Sequence, residues 1–177
     1  MQKFYSDKTV LVTGAAGFIG SHLTQKLLKL GAKVIGIDNY ITGDKQNVEV
    51  ALEELSQDQQ NNLTLIEADV NQSVENYLPE EKKVDLIFHL ASPASPPVYQ
   101  AYPRLTYLDN TWATHQLLSY LLLHNPEGRF LFASTSEVYG DPKVHPQTED
   151  YWGNVNPNGV RSCYDESKRM GETICGV

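Results

Sequence analysis

The sequence predicts an α/β fold built on a doubly wound parallel sheet, and three features carry that prediction. Strand-like apolar runs alternate with segments of helical period along the chain. Runs such as Val34-Ile-Gly-Ile37 and Leu86-Ile-Phe88 are continuously apolar, which suits strands covered by helices on both faces. A glycine-rich turn, Gly14-Ala-Ala-Gly17-Phe-Ile-Gly20, closes the first apolar run and opens the first helical one. With 177 residues, 41% hydrophobic and 20% charged, the chain has enough apolar material for one domain with a substantial core.

Taken in order, Thr9 to Thr13 is the first strand. Phe18 to Leu30 is the first helix, because Ile19, Leu23, Leu27 and Leu30 recur at helical spacing and Gly31 stands where a helix ends in a left-handed residue. Lys33 to Asp38 is the second strand and completes a β-α-β unit. Asn47 to Gln57 reads as a polar helix, Leu63 to Ala68 and Val84 to Leu90 as strands, Arg104 to His124 as one long helix, and Phe130 to Ser134 as the fifth strand. Strands joined by helical crossovers give the expected order 3-2-1-4-5, and a last helix carries Tyr164 and Lys168. Two stretches stand apart. Ser92-Pro-Ala-Ser-Pro-Pro97, with Pro103 beyond it, is expected to be neither helix nor interior strand, and it follows the fourth strand, where open α/β sheets bind ligands. Glu137 to Arg161, broken by Pro142, Pro146, Gly153, Pro157 and Gly159, is expected to be a long functional loop.

Fourteen Lys and Arg against 22 Asp and Glu give a formal charge of -8, which argues against a nucleic-acid or anionic-membrane surface. An anionic ligand must therefore be held by local donors. Cys163 and Cys175 lack metal-ligand spacing and fall on one predicted helix, so reduced thiols in a cytoplasmic protein are expected, with no metal. No run of about 18 apolar residues occurs, and Met1 to Lys8 lacks an apolar leader core, so no membrane segment is expected. His89, His145, Trp152 and Cys163 read as packing or loop residues.

The glycine turn is a candidate phosphate cradle. Gly14, Gly17 and Gly20 let the backbone turn tightly and approach a pyrophosphate, whose charge then sits on the free N–H groups of a helix start. Asp38 closes the second strand eighteen residues beyond Gly20, where a carboxylate can accept from both ribose hydroxyls and repel a 2'-phosphate. That arrangement favours NAD over NADP. The competing role for Asp38 is to cap a turn with Asn39. Asp69, at the end of the third strand, reads either as a contact to an adenine amino group or as a strand-end polar residue.

Tyr164 and Lys168 are four apart, so on a helix they share a face. A phenol, with its ordinary pKa near 10, is a poor base at neutral pH unless a cation stabilises the phenolate. Y-x-x-x-K is common by chance. Ser134-Thr-Ser-Glu-Val-Tyr-Gly140 strengthens it, because the carboxyl end of the fifth strand then offers the Thr135 hydroxyl as a second donor to one substrate oxygen. Phenol, ammonium and phosphate cradle together point to hydride chemistry on an alcohol.

At these residues the chain resembles the extended short-chain dehydrogenases/reductases, and among them the UDP-glucuronate decarboxylases, also called UDP-xylose synthases. The matching stretches are TGAAGFIGSHL from Thr13, HLASPASPP from His89, STSEVYGDPKVHPQTEDYWGNVNP from Ser134 and RSCYDESKR from Arg161. The resemblance covers nearly the whole chain but about the N-terminal half of a family member. It implies a Rossmann-type NAD-binding domain over residues 1–177, truncated before the C-terminal substrate-binding region. It further implies that Thr135, Glu137, Tyr164 and Lys168 are catalytic, and that Tyr99, Ser136 and Glu137 face the sugar. By the same resemblance Gly14, Gly17, Phe18, Ile19, Gly20, Asp38, Asn39, Thr42, Gly43, Asp69, Val70, Leu90 and Ser92 line NAD together with Tyr164 and Lys168.

The implied substrate is UDP-glucuronate and the implied assembly a homodimer. Tyr164 takes the 4-OH proton as NAD accepts the C4 hydride, the resulting β-keto acid loses carbon dioxide, and the hydride returns to C4. Rival readings turn on single positions. Related 4,6-dehydratases carry Asp-Glu after the threonine, and Ser136 cannot serve as that acid. Related 4-epimerases need the hydroxyl, Tyr and Lys alone, which leaves Glu137 without a task. A non-catalytic NAD-binding remnant is the third reading. Members also usually carry Lys, Gly and Asn where this chain has Leu108, Ala113 and Gln116. The uracil, diphosphate and carboxylate of the substrate are held beyond the resemblance. The isolated chain is therefore expected to bind NAD weakly, or not at all, and not to turn over.

Overall fold

The computed structural model describes residues 2–78 and 83–177. A short helix α1 (Gln2–Tyr5) leads into β1 (Thr9–Thr13), α2 (Phe18–Lys29), β2 (Lys33–Asp38), α3 (Lys45–Glu53), α4 (Gln57–Gln60) and β3 (Leu63–Glu67). Then follow β4 (Leu86–His89), α5 (Pro96–Ala101), α6 (Pro103–Asn110), α7 (Trp112–His124), β5 (Arg129–Phe132) and α8 (Ser162–Gly176). Among the described residues the strands form one parallel sheet in the order β3-β2-β1-β4-β5, as expected. The order reverses between β1 and β4, so the crevice of this sheet opens past Thr13 and its register partner His89.

Strand side chains alternate between faces, and each face has its own core. Leu11, Ile35, Ile37 and Ile87 pack with Ala113, Leu117 and Leu121 of α7. Val10, Val12, Val34 and Leu86 pack with Leu27 and Leu28 of α2 on the other side. Burial on both faces explains why these strands are apolar without interruption.

Three sequence expectations fail. The proline segment does contain helix: α5 starts at Pro96 with Ser95 before it, because prolines at the first helical positions need no N–H and carry the right φ. The long helix from Arg104 is two helices, broken at Thr111, whose φ is -115° and ψ -67°. The Thr111 hydroxyl donates back to the Tyr107 carbonyl at 2.7 Å while its amide is shared between Tyr107 and Leu108, a pattern that bends helices. Similarly, the polar helix starts earlier, at Lys45 under an Asp44 cap, and Ser56 caps a separate turn at Gln57. Remaining boundaries differ by one or two residues.

The loop after β5 is irregular as expected, apart from a single 3-10 turn at Ser136–Tyr139 and one bridge between Gly140 and Asn154. Cys163 and Cys175 are both free and lie on α8, about 18 Å apart along its axis by helical rise.

Candidate functional site

The glycine turn leaves β1 at Gly14, whose φ of +69° is left-handed backbone that favours glycine. Gly17 precedes α2 without any side-chain cap, so the first-turn N–H groups of Phe18, Ile19 and Gly20 have no partner within the helix. Gly20 is fixed by close approach: a Cβ there would lie 1.9 Å from the Gly14 carbonyl oxygen. Phe18 and Ile19 are exposed at 79% and 68%. These are the features a pyrophosphate needs, bare donors at a helix start and no side chain in the way.

Asp38 at the end of β2 is 7% exposed, and both its oxygens are used. Oδ2 accepts the Ala16 amide and Oδ1 the Tyr40 amide, each at 2.8 Å. It therefore caps a turn, at Tyr40, and also braces the glycine turn, while a carboxylate of two oxygens keeps lone pairs for ribose hydroxyls. Gly43 closes over it, since a Cβ there would stand 2.8 Å from Asp38 Oδ1. Between these walls runs a cleft lined by Gly14, Gly17, Asp38, Asn39, Thr42, Val70, Leu90 and Ser92 among others. All eight were expected cofactor contacts. The donor set and the acceptor carboxylate fit a dinucleotide such as NAD.

Asp69 stands outside that cleft. Its carboxylate accepts the Asn71 amide at 2.8 Å in a local turn, and it lines a neighbouring groove with Tyr102, Leu105 and Leu108. Six residues that line the cleft were not among the expected contacts: Ile41, Ala68, Ala91, Pro93, Leu105 and Asp109. Asp109 is 3% exposed and accepts from the Asn71 side-chain amide. Burial pushes its carboxyl up to about 7, with Asp69 adding to the rise and the Asn71 bond and Lys168 opposing it.

His89 ties the crevice together. The Asp109 carbonyl can only accept, so Nε2 carries the proton and donates to it at 2.9 Å, leaving Nδ1 to accept from the Thr13 hydroxyl at 2.7 Å. The Thr13 oxygen in turn accepts the amides of Leu90 and Ala91. Full burial holds this imidazole neutral, lowering its pKa to about 4. It is a packing residue, as expected, with both nitrogens satisfied.

Tyr164 and Lys168 lie on α8, which packs against α6, and are 6% and 3% exposed. Lys168 Nζ donates to the Ala133 carbonyl at 2.6 Å and sits 5.8 Å from the centre of the Tyr164 ring. Burial lowers its pKa to about 8, with Asp109 pulling the other way. Tyr99, expected to face a sugar, is 2% exposed and stacks on Tyr164 with ring centres 5.0 Å apart and planes 7° from parallel. In this chain it backs the phenol rather than opening to the cleft.

Thr135 caps the 3-10 turn, its hydroxyl oxygen accepting the Glu137 amide at 3.3 Å. Ser136 is exposed, and the Glu137 carboxylate is paired with Arg161, the residue before α8. Arg161 also reaches Asp165 Oδ1 at 3.6 Å. It braces the loop rather than standing free for a phosphate. Among the described residues no cluster of three or more His, Cys, Asp or Glu is arranged to hold a metal ion. None of the described helices is long and apolar enough to cross a membrane.

Residues 10–176 match the NAD-dependent epimerase/dehydratase family. UDP-glucuronic acid decarboxylase 1 of Danio rerio is 50% identical over 176 residues, 98% of this chain and 39% of that protein. UDP-glucuronic acid decarboxylase 6 of Arabidopsis thaliana is 48% identical over 172 residues, 97% of this chain and 46% of that protein. Among solved structures, the UDP-glucose 4-epimerase of Bifidobacterium longum in complex with NAD+ and UDP is similar with a TM-score of 0.74 and 31% identity, over 94% of this chain and 48% of that one. The chain thus spans less than half the length of each of these relatives.

Proposed function

The chain belongs to the NAD-dependent epimerase/dehydratase family, and from that membership we propose that it supplies the cofactor-binding and proton-transfer half of a UDP-glucuronate decarboxylase. One observation carries the reading: a hydroxyl, a carboxylate, a phenol and an ammonium, on Thr135, Glu137, Tyr164 and Lys168, lie on one turn and one helix that are bonded to each other. The identity to decarboxylases, at 48–50%, is well above that to the solved 4-epimerase, at 31%.

Asp38 receives the ribose hydroxyls and the start of α2 receives the pyrophosphate. When held there, NAD would supply a reversible hydride acceptor for the sugar C4. Tyr164, with the Lys168 ammonium 5.8 Å from its ring centre, is the general base for the 4-hydroxyl. Thr135, whose oxygen already accepts the Glu137 amide, retains its own proton to donate to the same sugar oxygen. The 4-ketone is β to the C6 carboxylate, so the C5–C6 bond breaks, carbon dioxide leaves, and its electron pair becomes an enolate held by the Tyr164 and Thr135 hydroxyls. A water oriented by the Glu137 carboxylate delivers the proton to C5 and is made good by a proton from solvent. The 4-oxygen regains its proton from Tyr164 at the end.

Two free thiols on α8 are consistent with a reducing, cytoplasmic setting. Exposed Trp112 and Leu122 on α7 and Met170 on α8 support pairing of two chains through those helices.

The test joins residues 1–177 to the C-terminal part of the zebrafish relative and supplies NAD and UDP-glucuronate, with the 177-residue chain assayed alongside. Carbon dioxide and UDP-xylose from the chimaera, both lost on Tyr164→Phe, are the expected result. A folded, NAD-binding chimaera that releases the C4 epimer of the substrate, with its carboxylate intact, identifies an epimerase instead.

A further inference from the structure

The helix that carries Tyr164 and Lys168 is bonded to the Thr135 turn and its flanks by polar groups. It is stitched there by a row of polar side chains. Lys168 Nζ donates to the Ala133 carbonyl at 2.6 Å, Glu172 takes the Ser134 hydroxyl, and Arg161 holds the Glu137 carboxylate. Arg169 makes the longest reach. A single nitrogen, Nη1, donates to the Val138 carbonyl and to the Trp152 carbonyl, 2.8 Å to each. Its Nε lies 3.4 Å from Glu166 Oε2, which aims the guanidinium.

Those two carbonyls belong to opposite sides of the irregular loop, and Arg169 is where the loop is tied both to itself and to α8. Around it the backbone closes a small ladder: Gly140 N bonds the Glu137 carbonyl, Asn154 N the Tyr139 carbonyl and Asp141 N the Asn154 carbonyl. Tertiary anchoring of this segment to α8 runs through Arg161 and Arg169, one at each end of the stretch that holds Tyr164 and Lys168. Arg161 grips a side chain, which can swing. Arg169 grips the main chain, which cannot move without moving Thr135 and Glu137.

We propose that Arg169 is a positioning residue that registers the Thr135–Glu137 turn against Tyr164 and Lys168. The proposal rests on the reading of those four residues as the reacting set. Arginine suits the task and lysine does not, because a planar guanidinium offers two hydrogens from one nitrogen at fixed angles, whereas an ammonium is a point donor on a shorter stem.

The test compares the chain with Arg169→Met and Arg169→Lys by amide exchange and by the NMR resonance of the Glu137 carboxyl carbon, and compares the same three sequences, joined to the C-terminal part of the zebrafish relative, by carbon dioxide release with NAD and UDP-glucuronate. In the Met variant exchange at Gly140, Asp141 and Asn154 accelerates about tenfold or more, roughly the worth of one charge-assisted hydrogen bond, while Leu11 and Ile35 in the sheet are unmoved. The Glu137 resonance shifts, kcat falls with KM little changed, and the Lys variant lies between. Unchanged exchange at the three loop amides overturns the proposal. So does equal acceleration of loop and sheet, which marks a general structural role. Should the Met variant fail to fold, the Lys variant is read by the same criteria. Absence of carbon dioxide from a folded, NAD-binding chimaera that retains Arg169 counts against the decarboxylase reading alone, and exchange together with the Glu137 resonance then decides the positioning role.

Discussion

Replacing Lys168 with methionine should make this chain more stable at neutral pH while removing a group the chemistry needs. Burial lowers the Lys168 pKa from 10.5 to about 8, so folding must hold a positive charge in a site that disfavours it. That displacement corresponds to about 3 kcal/mol of destabilisation wherever both folded and unfolded chains are protonated. Methionine fills nearly the same volume without the charge, but it gives up the bond from Nζ to the Ala133 carbonyl, worth about 1.5 to 3 kcal/mol for a charged donor. The variant should therefore gain up to about 1.5 kcal/mol at about pH 7. The pH dependence separates this from ordinary repacking. Between about 8 and 10.5 the folded chain releases the proton before the unfolded one, the unfolded state binds more protons, and the stability of the unaltered chain rises with pH. The advantage of methionine is thus full below about 8, shrinks through that window, and reverses above 10.5, where the lost hydrogen bond is all that remains. Urea unfolding followed by far-ultraviolet circular dichroism at a series of pH values reads this directly. A variant that is less stable at neutral pH, or whose stability difference does not change up to about pH 10, refutes the account of Lys168 as a strained buried cation.

Asp109→Asn should stabilise the chain above about pH 7, by at most about 4 kcal/mol, because the raised carboxyl otherwise ionises in a buried site. Folded Asp109 holds its proton up to about 7 and the unfolded side chain loses it near 3.8, so the gain over the unaltered chain closes as pH falls through that window, again seen by urea unfolding. Gly20→Ala drives a Cβ to 1.9 Å from the Gly14 oxygen, and the backbone must shift. It should lower stability by on the order of 2 kcal/mol or more and abolish NAD binding by calorimetry. Asp38→Asn keeps one acceptor where the Ala16 and Tyr40 amides require two, and it drops the negative charge. Affinity for NAD should fall about tenfold or more while discrimination against NADP relaxes, measured by titration with both dinucleotides.

What the sequence reveals and what it hides divide along a physical line. Val10 to Val12 and Val34 to Ile37 announce buried parallel strands because both faces of each are covered, and that constraint is local to each run. Gly14, Gly17 and Gly20 announce the cradle because a tight turn and close approach at one helix start leave glycine as the residue that fits. Tyr164 and Lys168 share a helix, so their proximity follows from spacing. Each of these is a short-range requirement written into contiguous residues.

Asp109 has no such signature. It follows Leu105 at i+4, so both face the cleft, but nothing in the run from Pro103 to Asn110 says which face of that helix meets β4. The break at Thr111 is hidden for a related reason: threonine is ordinary inside helices, and the bend arises when its hydroxyl turns back on Tyr107. Pro96 misleads in the opposite direction, since proline bars the interior of a helix and favours its first turn. The contacts of Arg161 and Arg169 lie deepest. An arginine beside a tyrosine-lysine pair is equally compatible with solvent, a phosphate or a carboxylate, and the choice is made by residues 17 to 31 positions away that come to rest beside it. A sequence motif therefore names the groups that can transfer a proton. Their mutual placement depends on long side chains bonding across the irregular loop, and a chain can keep the motif while losing the alignment.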